Sequence, residues 1–393
     1  MMRSKRTWLW VAVLLAAAAC AALAVRIVAS IDYRNNDFFT FWLAGHLVTQ
    51  GGNPYDPAQW VAGHQAFGVT WIPNQTYVYP LPLSLLFAPL GWLSLKSAFT
   101  VWVALSELMI LVALALLAFG QPGSGSGRYF LPLLIGLIFF RPTSLTLFHG
   151  QLSGALLLLL AGTIFLWEKG KWEWGSLLLP LLMLKPNIGA PLLALLGAWL
   201  LVRKRFRALL AIAAGLLALL VIGLIQNPHW VTDYWAIGNL KVAQNFGGAP
   251  TIWGLSALPC RNGSGCMFAL GGPAVLLLGL GFLWFAFRRR NLAPLEIMAL
   301  AVGVTMLVTP YTWTYDQVLL LVPILAIVLE LDRRKGHFLL VSGFFLGIDL
   351  LVLVLLVFDT LMQVEILNVV IPLLVLGILG WLLAPASPPG RSA

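Results

Sequence analysis

Residues Tyr79 to Leu95 read YPLPLSLLFAPLGWLSL. The stretch is apolar enough for a membrane interior, but Pro80, Pro82 and Pro89 interrupt it, and a proline inside a helix removes a backbone donor and clashes with the preceding turn. Whether it crosses decides the sidedness of everything that follows. The chain around it sets the question in a membrane: of 393 residues, 60% are hydrophobic and only 10% charged, with a mean hydropathy of +0.92, far from the balance of a soluble domain.

Apolar runs that can be drawn as spans lie at 8–29, 97–119, 129–148, 152–167, 174–186, 188–202, 207–226, 272–287, 294–309, 316–331, 337–357 and 366–384. The shorter ones are accommodated by tilt and by neighbouring helices. The net charge of +10 is gathered into clusters between these runs, at Arg3-Lys5-Arg6, Arg203 to Arg207, Arg288 to Arg290 and Arg333 to Lys335. That spacing is topogenic and does not describe a nucleic-acid surface. If 79–95 crossed, Arg203-Lys204-Arg205 would share a side with the 30–96 loop, opposite the N-terminal cluster, against the positive-inside rule.

As a membrane-surface or re-entrant element, 79–95 leaves about twelve spans, both termini cytoplasmic and every basic cluster inside. The expected fold is therefore all-α, a polytopic transmembrane helix bundle forming one integral membrane domain over 1–393. Residues 30–96 make a first outer loop carrying juxtamembrane helices, and 227–271 a second. Thr7 to Ser30 is read as an uncleaved signal-anchor, long enough to span, in preference to a cleaved signal peptide. Gly120 to Gly127 becomes a flexible cytoplasmic connection.

On the outer side, Asn35 to Pro57 reads NNDFFTFWLAGHLVTQGGNPYDP: an acid beyond the first span, an aromatic amphipathic helix, a glycine break and an Asn-Pro-Tyr-Asp turn. Asp37 reads structurally as an N-cap or first-turn acid of a helix on the membrane, and functionally as a general base at the water–membrane boundary. Lys185, in LMLKPNIG, either snorkels from a helix end or holds a lipid phosphate as a point charge. His149 and Gln151, in LFHGQLSG, either satisfy broken-helix backbone or touch a polar substrate.

Glu107 and Arg141 fall inside their spans, where a lone charge is costly, so an ion pair or shared polar cavity between these antiparallel neighbours is expected. Arg141 turned toward Asp37 would instead hold a donor phosphate. Asp316, in TPYTWTYDQ, either caps the tenth span or binds sugar hydroxyls beside an aromatic wall of Tyr311, Trp313 and Tyr315. Asp349 is intramembrane with no role evident from its context. Cys260 and Cys266 bracket Arg-Asn-Gly-Ser-Gly in an outer loop, which favours a disulfide in an oxidising compartment. With no P-loop, no HExxH and five separated histidines, neither a metal site nor a cofactor is expected.

Taken in order, Asp37-Phe38-Phe39, Gly52-Asn53-Pro54-Tyr55-Asp56, Tyr77-Val78-Tyr79-Pro80-Leu81-Pro82, Gly150-Gln151 and Lys185-Pro186-Asn187 make the chain resemble glycosyltransferase family 87, from about Asp37 to Asp316. The resemblance implies a GT-C type membrane fold, an essential acid in the first outer loop at Asp37, and a polyprenyl-phosphate sugar donor in place of a nucleotide sugar. Tyr79 and Asn187 enter through these motifs as further substrate-binding candidates. Near the tenth span the chain departs from mannosyltransferase relatives, carrying Thr314-Tyr315-Asp316 where they often show histidines.

The expected function is that of an inverting glycosyltransferase. It moves a sugar, mannose or another hexose, from polyprenyl phosphate to a lipid-linked glycan on the outer face of the cytoplasmic membrane. The alternative is a lipid or solute transporter, with Glu107, Arg141 and Asp349 marking a translocation path.

Overall fold

The computed structural model describes residues 15, 18–69, 72, 74, 76–120, 130–260, 264–289, 291–333, 338–362 and 365–384. The N-terminal basic cluster, most of the Gly/Ser connection after Gly120 and the turn at 261–263 lie outside them. Among the described residues the fold is all-helical. In chain order the helices are α1 (Ala18–Ser30), α2 (Asp37–Thr49), α3 (Pro57–Ala66), α4 (Leu81–Gly91), α5 (Leu95–Phe119), α6 (Phe130–Phe139), α7 (Arg141–Phe148), α8 (Ser153–Glu168) and α9 (Trp172–Leu184). They continue as α10 (Pro186–Val202), α11 (Phe206–Gln226), α12 (Trp230–Asn245), α13 (Ile252–Ala257), α14 (Met267–Arg288), α15 (Pro294–Val308), α16 (Thr314–Arg333), α17 (Phe338–Met362) and α18 (Ile366–Leu383).

Six of these are long and apolar enough to cross a membrane, namely α5, α11, α14, α16, the Gly343–Leu361 part of α17, and α18. The pair α7 and α8, bent by 120° at a short break, makes a seventh if counted as one span. By this measure the count stops short of twelve, because α1, α9, α10 and α15 are shorter apolar helices. The protein is a membrane-embedded helical bundle.

Its centre is α15 and α16, whose apolar side chains are buried almost without interruption from Leu295 to Leu307 and from Asp316 to Leu329. Against them pack α8, α10, α14 and α18. At the rim, α11 and α14 keep few buried residues and turn most of their leucines outward, as helices facing lipid do.

The proline-interrupted stretch that governs topology becomes α4. Its 11 residues cover about 16 Å at 1.5 Å per residue, half of the roughly 30 Å hydrocarbon core. α4 packs on α2 at a contact where backbones touch. A Cβ on Gly45 would lie 2.6 Å from the Phe87 carbonyl carbon, and one on Gly91 would lie 2.6 Å from the His46 nitrogen. Trp42 Nε1 donates to the Leu90 and Leu93 carbonyls at 3.1 and 3.2 Å, and His46 Nδ1 donates to Gly91 O at 2.8 Å. Carbonyls at and just beyond the end of α4 thus find donors on α2.

This arrangement corrects the reading of α2 as an amphipathic surface helix. Phe38 to Gly45 are buried on every side, because α3, α4 and α5 enclose the helix. The following turn serves the same assembly: Asn53 Oδ1 accepts Tyr55 N at 3.0 Å, Asp56 caps α3, and Tyr55 OH donates to Tyr79 O at 2.6 Å.

Candidate active site

Asn36, not Asp37, is the N-cap of α2. Its side chain accepts Phe38 N at 3.0 Å in extended backbone geometry, and its amide donates to Phe148 O at 2.6 Å. Asp37 is the first helical residue, with a favourable place for a negative charge but no capping duty. Its Oδ2 accepts Gln151 Nε2 at 2.7 Å and lies 3.7 Å from His149 Nδ1. Oδ1 accepts no hydrogen bond among the described residues.

The break between α7 and α8 brings Gln151 and His149 to this carboxylate. Gly150 holds φ +59°, a left-handed conformation, and a Cβ there would lie 2.7 Å from Phe38 Cβ and from Phe99 Cε2. The turn is clamped by Asn36 on Phe148 O, by Trp102 Nε1 donating to Gly150 O at 2.8 Å, and by Gln151 N donating to Thr146 O at 2.9 Å. Gly150→Ala meets both a backbone penalty of about 1–2 kcal/mol and an overpacking cost of about 1–3 kcal/mol. We expect thermal unfolding of the purified variant to show a loss of at least about 2 kcal/mol. A variant as stable as the wild type would show that the turn relaxes freely.

Lys185 sits where α9 ends and α10 begins, at φ −128° and ψ 80°, because Pro186 cannot continue the preceding turn. Its ammonium is 3% exposed, pairs with Asp316 Oδ1 at 2.5 Å, donates to Gln151 Oε1 at 3.1 Å, and lies 4.7 Å from the Tyr315 ring centroid. Asp316 is wholly buried. Ser153 Oγ also donates to its Oδ1, at 2.6 Å, while Thr312 Oγ1 and Trp313 N donate to Oδ2 at 3.0 and 3.3 Å. Hence a continuous relay runs from Asp316 through Lys185 and Gln151 to Asp37.

In front of the relay lies a cavity of about 270 Å³. Asp37, Tyr79, His149, Lys185, Asn187 and Tyr311 line it, together with Thr40, Asn74, Asn245, Trp313, Tyr315 and Glu365. Burial first, then the charge of Asp37, push the Tyr79 phenol well above its usual range. Burial raises that of Tyr311 as well, so both rings stay neutral hydrogen-bonding groups. Asn187 ties the start of α10 to the segment before α16, donating to Tyr311 O at 2.9 Å and accepting Thr309 Oγ1 on its own carbonyl.

Three expectations need correction. Arg141 does not line the cavity and does not meet Glu107. It pairs with Asp359 on α17 at 2.5 Å, since the α6–α7 break turns it toward that helix. Glu107, on α5, is 6% exposed, and among the described residues neither carboxylate oxygen meets a hydrogen-bond partner in good geometry. It faces an apolar groove between α1, α5 and α7 that also contains Cys20. Asp316 is wholly buried and does not line the cavity, and Lys185, Ser153, Thr312 and the Trp313 amide occupy both its oxygens. Gln151, for its part, stands behind the cavity as a wholly buried link.

Cys266 is disulfide-bonded and Cys20 is a free thiol; the Cys260 side chain lies outside the described residues. Among the described residues no group of three or more His, Cys, Asp or Glu could hold a metal ion. Asp349 lies on α17, apart from the cavity-lining residues.

Of the lining residues that the motifs did not single out, Thr40 had a signal, being three residues from Asp37 and so on its helical face. Glu365 had a weaker one, standing in the short polar segment between the last two apolar runs, whereas Asn74 and Asn245 had none. A family model described as glycosyltransferase family 87 matches residues 77–310, more than half of the chain. The match takes in Tyr79, His149, Gln151, Lys185 and Asn187, whereas Asp37, Tyr311, Asp316 and Glu365 lie beyond it. No curated protein and no solved structure matches the chain.

Proposed function

The chain belongs to glycosyltransferase family 87 and is a membrane glycosyltransferase, and from that premise we propose that it is an inverting enzyme using a polyprenyl-phosphate sugar. The observation that carries this reading is the state of Asp37. Its carboxylate is released from capping by Asn36, oriented through one oxygen by Gln151, and without a hydrogen bond at the other among the described residues, on a residue that lines the cavity. That is what a general base requires.

In the proposed step an acceptor hydroxyl gives its proton to Asp37 while its oxygen bonds to the anomeric carbon. The bond from that carbon to the phosphate oxygen breaks, and the polyprenyl phosphate leaves with the electron pair. One displacement inverts the centre. Developing charge on the leaving oxygen is stabilised by His149, which is 45% exposed beside Asp37, whereas Lys185, neutralised by Asp316, acts on the site by holding Gln151. Arg141 is withdrawn from this role by its pairing with Asp359. The acceptor is proposed to be a lipid-linked glycan and the sugar mannose or another hexose. At about 270 Å³, the cavity falls just below the usual range of small-molecule sites, which suits a single ring.

A bundle of about twelve crossings with the site on the outer face remains the proposed topology. In its support, α8 and α10 begin at Ser153 and Pro186, beside the site, and end toward Lys169-Lys171 and Arg203-Lys204-Arg205. These 16- and 17-residue helices separate site from basic loops by about 25 Å. At the basic end, Arg289 bonds Leu383 O and Arg333 pairs with Glu296. Under the positive-inside rule the site then faces outward.

The test is incubation of purified protein with a panel of polyprenyl-phosphate hexoses and lipid-linked acceptors, followed by mass analysis. A product heavier than the acceptor by one hexose is expected. Products formed only with nucleotide sugars would overturn the donor class.

A further inference from the structure

Two carboxylates line the cavity, and the mechanism uses only Asp37. Glu365 approaches from the start of α18, and one of its oxygens is fixed: Oε2 accepts the Thr314 amide at 2.9 Å and Thr314 Oγ1 at 2.6 Å. That threonine is held in turn by Asn368 Nδ2 at 3.0 Å, and Asn368 also donates to Asp359 Oδ2 at 2.8 Å, the oxygen that Arg141 binds. Arg141, which does not line the cavity, therefore helps to set the orientation of Glu365 through Asp359, Asn368 and Thr314. The other oxygen, Oε1, accepts no hydrogen bond and enters no ion pair among the described residues.

This geometry selects its ligand by charge. An orientated carboxylate without a cation repels phosphate, and Lys185 is occupied by Asp316. A neutral ring bearing hydroxyl groups suits it, because hydroxyl donors to an ionised acceptor form strong hydrogen bonds. Trp313, next in sequence to Thr314, lines the same cavity and offers an aromatic face to the C–H side of such a ring. We propose that Glu365 Oε1, with Trp313 beside it, forms the subsite that recognises ring hydroxyls of the transferred sugar. The proposal rests on the glycosyltransfer reading above. It gives Glu365 the role that the sequence suggested for Asp316.

Glu365→Gln separates this from a structural role, since the glutamine carbonyl can still accept both Thr314 donors while an amide replaces the free oxygen. Full-length wild type and E365Q are assayed with polyprenyl-phosphate hexoses, intact or deoxygenated at single ring positions. The wild type is expected to lose about 10- to 100-fold in kcat/KM for at least one deoxy donor, the range of a hydrogen bond to a charged group. E365Q is expected to be slower with the intact donor and to lose most of that discrimination. Unchanged discrimination in E365Q at every position overturns the subsite.

Saturation-transfer NMR with methyl α-mannoside, methyl α-glucoside and methyl α-galactoside on nanodisc-embedded protein keeps the two readings apart. A signal from wild type and D37N that is lost in E365Q supports the subsite even where no donor is turned over, an outcome that would count against glycosyltransfer alone. Equal signals from E365Q and wild type overturn the subsite whatever the transfer assay shows, and so does the lack of any signal from wild type.

Discussion

Asp37→Asn is expected to yield a folded, membrane-inserted protein whose sugar transfer falls by about two to four powers of ten. The substitution keeps the shape of the side chain, and its carbonyl oxygen can still accept Gln151 Nε2, which now lies at 2.7 Å from Oδ2. What disappears is the proton acceptor. Loss of the negative charge in the first turn of α2 costs only about 0.3–1 kcal/mol, and the cap itself is untouched because Asn36 provides it. Asn36→Ala is the matched control. Losing the cap costs about 1 kcal/mol, so it is expected to lower stability more than D37N while leaving far more of the transfer rate. Turnover near the wild-type level in D37N, measured with the donor that the panel identifies, would remove Asp37 from the chemistry.

The second large effect is one of stability. Lys185→Met is expected to destabilise the protein by about 3–5 kcal/mol, because it strands the wholly buried Asp316 without its counter-ion. Ser153, Thr312 and the Trp313 amide still donate to Asp316, but they cannot replace a full charge. Asp316→Asn should behave alike, leaving a buried ammonium. The double variant K185M/D316N removes both charges and is expected to recover about 2–3 kcal/mol relative to the sum of the single variants, the size of coupling found between groups in one network. Thermal or denaturant unfolding of the four proteins in one detergent gives that cycle. Additive losses would mean that the pair is not coupled. Transfer should stay low in the double variant, because Gln151 loses the ammonium that holds its Oε1 and so orients Asp37 less firmly.

The relay explains why the Gly150-Gln151 and Lys185-Pro186-Asn187 motifs matter together. Each marks a helix break, and a break inside a membrane exposes backbone groups that must find partners. Here the breaks are clamped by Asn36, Trp102, Thr309 and Asn187. Of the side chains at the breaks, His149 and Gln151 meet at Asp37, and Lys185 joins them to Asp316 through Gln151.

Local sequence determined much of this protein. Composition made it a membrane helical bundle. The prolines of Tyr79 to Leu95 marked a short, irregular element, and the helix breaks at Gly150 and Lys185 were legible as Gly, Pro and Asn punctuation because those residues limit backbone conformation wherever they stand. Asp37 stood out as an acid just beyond the first apolar run, at the head of an aromatic segment. Partners were not legible. Asp359 takes Arg141 from 218 residues away, Asp316 takes Lys185 from 131, and Glu365 reaches Thr314 from 51. No periodicity carries such pairings, since they depend on which helix ends meet once α15 and α16 fill the centre of the bundle. The same holds for α2, whose aromatic residues read as one apolar face but are buried on every side, because enclosure by α3, α4 and α5 is a property of packing and not of the segment itself.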